Sequence, residues 1–105
     1  MTEIVMREHF GSFLADGDLG NRFRFCEIDP LFGRAAMLVF DFDGIANMSD
    51  SFANACFGSL AEDHPEDILE KVRFRNCSDM IRQSLSAAIS SGRLRGSQLV
   101  HSDGF

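Results

Sequence analysis

The stretch Leu38-Val-Phe-Asp-Phe-Asp-Gly-Ile-Ala-Asn-Met-Ser-Asp-Ser51 decides how the rest of the chain is read. An apolar run leads into two alternating aspartates and a glycine turn. Small hydroxyl and acidic residues then open an apolar pattern of helical period. Strand, turn and helix start follow one another, with polar groups collected at the strand's C-terminal end, where open α/β sheets expose helix N-termini to ligands and partners. Ala35 to Phe42 is nearly continuous in its apolarity, which predicts a central strand covered on both faces by helices.

Working outward, Phe52, Cys56 and Leu60 recur at intervals of four, predicting a helix from about Asp50 to Ala61 capped by Ser49 or Asp50. Upstream, Ile4-Val5-Met6 reads as an opening strand. Asp16 or Asp18 caps a helix whose apolar positions are Leu19, Phe23 and Cys26, and Asp29-Pro30 starts a further short turn that ends at Gly33. Downstream, Glu62 to Glu70 contains Pro65 and reads as an acidic surface connection. Val72 to Phe74 supplies another strand. Ser78 caps a last helix with Ile81, Leu85 and Ile89 on one stripe, and Gly92 stops it. Arg93 to Phe105 reads as a loose polar tail, in which Leu99-Val100 could add an edge strand. The expected fold is therefore α/β, a three- to four-stranded mostly parallel sheet flanked by about three helices, with one domain over residues 1–92 and a tail over 93–105.

Composition narrows the function. The 105 residues carry a net charge of −6, with eleven Phe and neither Tyr nor Trp. Residues 35–70 hold eight acids and no base, whereas residues 71–105 hold two acids and six bases. An acidic middle repels phosphates, so nucleic acid is not an expected partner and a basic protein surface is. Cys26, Cys56 and Cys77 are odd in number and widely spaced, which suits reduced thiols in a cytoplasmic protein and no metal site. No apolar stretch nears the roughly 20 residues needed to cross a bilayer. No cofactor is expected, and the chain reads as a monomer or weak homodimer.

Two resemblances attach chemistry to the central turn. Phe40-Asp41-Phe42-Asp43-Gly44 is similar to the first motif of haloacid-dehalogenase-like phosphatases, which implies Asp41 as nucleophile and Asp43 as acid and base. Ile45 lacks the hydroxyl common after that glycine, Lys71 is the sole lysine, and no acidic pair follows a later apolar strand to hold magnesium. A broader resemblance, from about Phe10 to Ser91, is to the bacterial STAS-like family, relatives of anti-sigma-factor antagonists. It is carried by Val39 to Ile45, Met48 to Ala53, Phe57-Gly58-Ser59-Leu60, Phe74-Arg75-Asn76 and the Gly11 to Leu19 region. It implies a non-enzymatic regulatory module whose partner, a histidine-kinase-like ATPase or anti-sigma factor, docks at the helix start formed by Met48, Ser49, Asp50, Ser51 and Phe52, with Asp43 on the rim and an acidic face adjoining. Aligned on Met48, the family's phosphoacceptor position holds Asp50, so a phospho-switch falls to Ser49 or Ser51 or is absent. A small acidic inhibitor of a nucleic-acid-handling protein is the remaining alternative.

Overall fold

A computed structural model describes the backbone of residues 1–103 and the side chains of residues 1–97. Thr2–Val5 forms β1 and runs directly into α1, Met6–Phe10, which ends at Gly11 with a φ of 70°. Phe13–Leu14 forms β2. The first helical arm comprises α2, Gly17–Phe23, a π-helical turn over Arg24–Ile28, and α3, Asp29–Phe32. Leu38–Asp41 is β3 and Asn47–Met48 is β4. The second arm comprises α4, Asp50–Ala53, a π-helical turn over Asn54–Gly58, and α5, Ser59–Asp63. After α6, Asp67–Lys71, and β5, Val72–Arg75, the chain closes with α7, Asp79–Asp103. The class is α/β, as expected.

Two parallel sheets organise these elements. The larger has the order β1-β3-β5, placing Leu38–Asp41 at its centre, and the smaller pairs β2 with β4. Register explains the burial. Ile4, Phe40 and Phe74 lie side by side, as do Thr2, Leu38 and Val72, and this face meets the helices. The Phe57 ring from the second arm packs edge-on against Phe40 and Phe74, at centroid distances of 5.1 and 5.3 Å.

The opposite face corrects an expectation. Its rows are Glu3, Val39, Arg73 and Val5, Asp41, Arg75, and Glu3, Arg73 and Arg75 are exposed. Val39 is 6% exposed yet lies outside the hydrophobic cluster. A Glu3–Arg75 ion pair of 2.6 Å bridges β1 and β5 across β3 on that side. The continuous apolar run thus reflects one helix-packed face and one valine under long polar side chains, which can cover apolar surface with their stems.

Local chemistry also fixes the helix starts. The Asp16 carboxylate accepts from the Asp18 amide at 2.9 Å and caps α2. The Ser78 hydroxyl accepts from the Ile81 amide at 3.2 Å before α7. The π-helical turn in the first arm changes which residues face inward: Ile28 is buried, whereas Leu19 is 42% exposed and Cys26 is exposed, against the expected stripe. The Arg24 side chain joins the arms by donating to the Ala55 carbonyl at 3.3 Å, and within its own arm it pairs with Asp29 at 3.0 Å.

The last helix does not stop at Gly92 but runs through 93–103, where a loose tail or an edge strand at Leu99-Val100 was expected; residues 104 and 105 of that tail lie outside the described residues. The backbone continues helical to Asp103. Gly92 is a contact residue rather than a terminator. A Cβ there would collide with the Gly58 carbonyl oxygen and come within 3.0 Å of the Ala61 Cβ, and a Cβ on Gly96 would collide with the Glu62 carbonyl oxygen. Arg93 donates to the Pro65 carbonyl at 2.5 Å and Arg95 pairs with Glu62 at 2.5 Å, fastening this end of α7 to the second arm.

Replacing glycine by alanine inside a helix ordinarily gains about 1 kcal/mol of propensity. Overpacking costs about 1–3 kcal/mol, and here the obstacle is backbone oxygen, so Gly92→Ala should destabilise the fold by about 1–2 kcal/mol net. Gly33→Ala, with φ of −79° and open space at its Cβ, should be neutral or stabilising by up to about 1 kcal/mol. Urea denaturation of the two variants beside the parent chain checks both signs.

Candidate functional site

The helix start is held by backbone pairing between two segments far apart in sequence. The Ala46 and Asn47 amides donate to the Ser12 carbonyl at 2.8 and 3.4 Å, and the Ser49 amide donates to the Leu14 carbonyl at 2.8 Å. The Ser49 hydroxyl does two jobs. It donates to the Ala15 carbonyl at 2.8 Å and accepts from the Phe52 amide at 3.1 Å, the N-cap bond of α4. A capping serine typically contributes about 1 kcal/mol, and this one also ties α4 to the loop before α2.

That tie sets two helix N-termini side by side. A Cβ on Gly17 would lie 3.4 Å from the Ser51 Cβ, and a Cβ on Gly20 would lie 3.1 Å from the Phe52 carbonyl oxygen. Asp50 and Ser51 face solvent at the first turn of α4, beside the exposed Asp16 and Asp18 of the neighbouring start. Asp16 and Asp18 escaped notice as site residues because their proximity to Ser51 arises from β2–β4 pairing, which two-residue strands do not announce in a sequence.

The expected site residues therefore divide. Met48 and Phe52 are 5% and 0% exposed, so they are not contact residues but the floor beneath the site, a correction explained by their inward position on β4 and α4. Ser49 is half-buried with its hydroxyl committed. Asp50 and Ser51 remain at the surface. Asp43 is on the rim, its side chain 68% exposed, with Arg7 at 3.9 Å.

Asp41 is a turn-forming group. Its Oδ1 accepts from the Asn76 side-chain amide at 2.8 Å and from the Asp43 amide at 2.9 Å. The Asn76 bond, followed by the Asp43 bond and the nearby Arg75 and Arg7, outweighs partial desolvation and holds its carboxyl below the usual range. Asn76 has a φ of 59°, a left-handed conformation that asparagine tolerates better than most residues. Gly44 has a φ of 80°, and the Arg7 side chain fills the space where a Cβ would sit. Burial pushes the Cys56 thiol up, and desolvation also raises the half-buried Cys77. All three cysteines are free.

The acidic block is continuous in sequence but split in space. Asp41 and Asp43 sit at the C-terminal end of the central strand and Asp50 at the start of the second arm, while Glu62 and Asp63 lie in the last turn of that arm and Glu66, Asp67 and Glu70 beyond it. At about 1.5 Å per residue that arm is roughly 20 Å long. The far group is partly neutralised by Arg95 on Glu62 and by Arg24, 4.0 Å from Asp63. The acidic face expected to adjoin the helix start is thus made of Asp50 with Asp16 and Asp18. Among the described residues no three His, Cys, Asp or Glu side chains are grouped to hold a metal ion, and no helix is long and apolar enough to cross a membrane.

Comparison with protein families returns a match over residues 20–82 to a model described as a STAS-like domain of unknown function. The matched region includes the central strand, the turn, the second arm and the start of α7. Comparisons with curated proteins and with solved structures find no match.

The lowered Asp41 value has a pH signature. Because its folded pKa lies below the unfolded value of about 3.9, the stabilisation is fully present above that value and is lost as pH falls through the folded one. Asn76→Gly keeps the left-handed backbone and removes the largest cause. It should flatten the loss of stability as the pH falls below about 5, measured by chemical denaturation from neutral pH downward.

Proposed function

Because the chain belongs to the family of STAS-like domains of unknown function, we propose that it is a non-enzymatic, cytoplasmic regulatory module that docks a protein partner through the start of α4. The observation that supports this reading most is the division of labour at that start. Met48 and Phe52 are interior, Ser49 is spent on capping and tethering, and Asp50 and Ser51 are offered to solvent on a rigid base. Sites set on secondary elements with a packed floor hold their geometry better than sites on loops. The partner class implied by the family resemblance is a histidine-kinase-like ATPase or an anti-sigma factor.

The same geometry favours Ser51 over Ser49 as a switch residue. Phosphorylating Ser49 removes the hydrogen it donates to Ala15 and places the phosphate at its half-buried tether, whereas the exposed Ser51 makes none of the side-chain hydrogen bonds found among the described residues. A phosphate on Ser51 adds about two negative charges and a bulky group to the surface beside Asp50, Asp16 and Asp18, which resets both the shape and the charge that a partner meets there. The phosphatase alternative retains one favourable feature, the position of Asp41 at the end of β3 with Asp43 two residues on. Magnesium-dependent hydrolysis of a phosphate ester, abolished in Asp41→Asn, would establish it.

Affinity for an ATPase partner recovered by co-purification should fall at least tenfold in Asp50→Lys, equivalent to about 1.4 kcal/mol, and be unaffected by Asp67→Lys at the far acidic group. Equal affinity of Asp50→Lys and the parent chain removes the helix start from the interface. After co-expression, mass spectrometry should locate phosphate on Ser51 and not on Ser49.

A further inference from the structure

An open groove of about 220 Å³ runs along α1 and the first arm, with Phe10, Leu19, Phe23 and Cys26 as its apolar lining and His9, Arg22 and Glu27 at its edges. Leu19 is 42% exposed and Cys26 is also exposed. The groove is joined to the helix start through stacked rings. Phe23 meets Phe10 at 4.9 Å, and Phe10 meets Phe52, in the first turn of α4, at 5.2 Å, both edge-on. At its upper end stand Asp16, Asp18 and Asp50, exposed and outside every ion pair found among the described residues.

The dimensions choose among occupants. Small-molecule sites enclose about 300–1,000 Å³ and cover most of the ligand, so an open groove of this size fits one or two inserted side chains instead. Charge chooses further. The groove and its upper end carry Asp16, Asp18, Asp50 and Glu27 against the single guanidinium of Arg22, and carboxylates around an apolar strip complement a segment with apolar and cationic faces. We propose that the groove and the paired helix starts form one continuous docking surface for a basic amphipathic helix of a protein partner, its apolar face on the exposed Leu19 and Cys26 above the buried Phe23 and its cations over Asp16, Asp18 and Asp50. This rests on the reading of the α4 start as a partner site and extends it onto the first arm.

The test uses the full ¹⁵N-labelled chain, an 18-residue amphipathic leucine–lysine peptide and a scrambled peptide of the same composition. Amide shifts should cluster on residues 16–27 and 50–51, and the scrambled peptide should bind at least tenfold more weakly. Leu19→Asp should weaken binding at least tenfold even though it adds negative charge toward a cationic peptide, because it removes the apolar contact; Leu19 is exposed enough for the fold to survive. Shifts centred on residues 62–70, or equal binding of the scrambled peptide, overturn the proposal in favour of general attraction to an acidic chain. If Asp50→Lys weakens binding and Leu19→Asp does not, the groove is overturned and the helix-start reading stands. If Leu19→Asp weakens binding and Asp50→Lys does not, the groove stands and the helix start is overturned.

Discussion

Close approach to the carbonyl oxygens of the second helical arm is the constraint on which the rest of the structure depends. Gly20 sets α2 against the Phe52 carbonyl, Gly92 sets α7 against the Gly58 carbonyl, and Gly96 repeats the contact at Glu62 one turn further on. The arm's remaining side carries Phe57 onto the sheet. Two helices and a sheet therefore share one short arm, and each can do so only because the backbone, not a side chain, is the contact surface. Glycine in a helix interior loses about 1 kcal/mol of propensity relative to alanine, a cost offset by the burial that close packing permits.

The same constraint shows why some features were legible in the sequence and others were not. Caps are local, so Asp16, Ser49 and Ser78 could be read from a hydroxyl or carboxylate placed before an apolar period. The central strand was legible for the same reason: Leu38 to Phe40 is too apolar to lie anywhere but inside. Gly92 misled because a glycine after an apolar stripe signals both a helix end and a close helix contact, and only spacing separates them. Ala88, Gly92 and Gly96 recur at intervals of four on the face that meets the second arm, whereas a terminating glycine has no reason to repeat. The exposure of Cys26 follows from the π-helical turn at Arg24–Ile28, an inserted residue that no period of 3.6 anticipates.

Charge was legible as a total and not as a distribution. Eight acids between residues 35 and 70 suggested one acidic face, but a helical arm in the middle of the block carries its two ends roughly 20 Å apart. Beyond a Debye length of about 8 Å at physiological salt, exposed charges at the two ends scarcely feel one another. The candidate site was visible as residues 48 to 52, yet its surface composition depended on which of them the fold consumed. Met48 and Phe52 went to the core and Ser49 to the tether, while Asp16 and Asp18 were brought in by a two-residue strand pairing.

Those carboxylates also explain how an acidic surface persists without basic partners among the described residues. Each lies at a helix N-terminus, where the exposed amides favour negative charge by about 0.3–1 kcal/mol, and Asp16 in addition caps its helix. Each helix therefore stabilises its own acid, while the β2–β4 pairing forces the two starts together and sets like charges beside one another. The favourable term belongs to each helix separately and the repulsive one to their junction. Replacing an acid removes both terms, but a cation placed across the junction relieves the repulsion and leaves both caps intact. A surface built this way is stable when free and favours a cationic partner, and its negative charge follows from how the fold starts its helices.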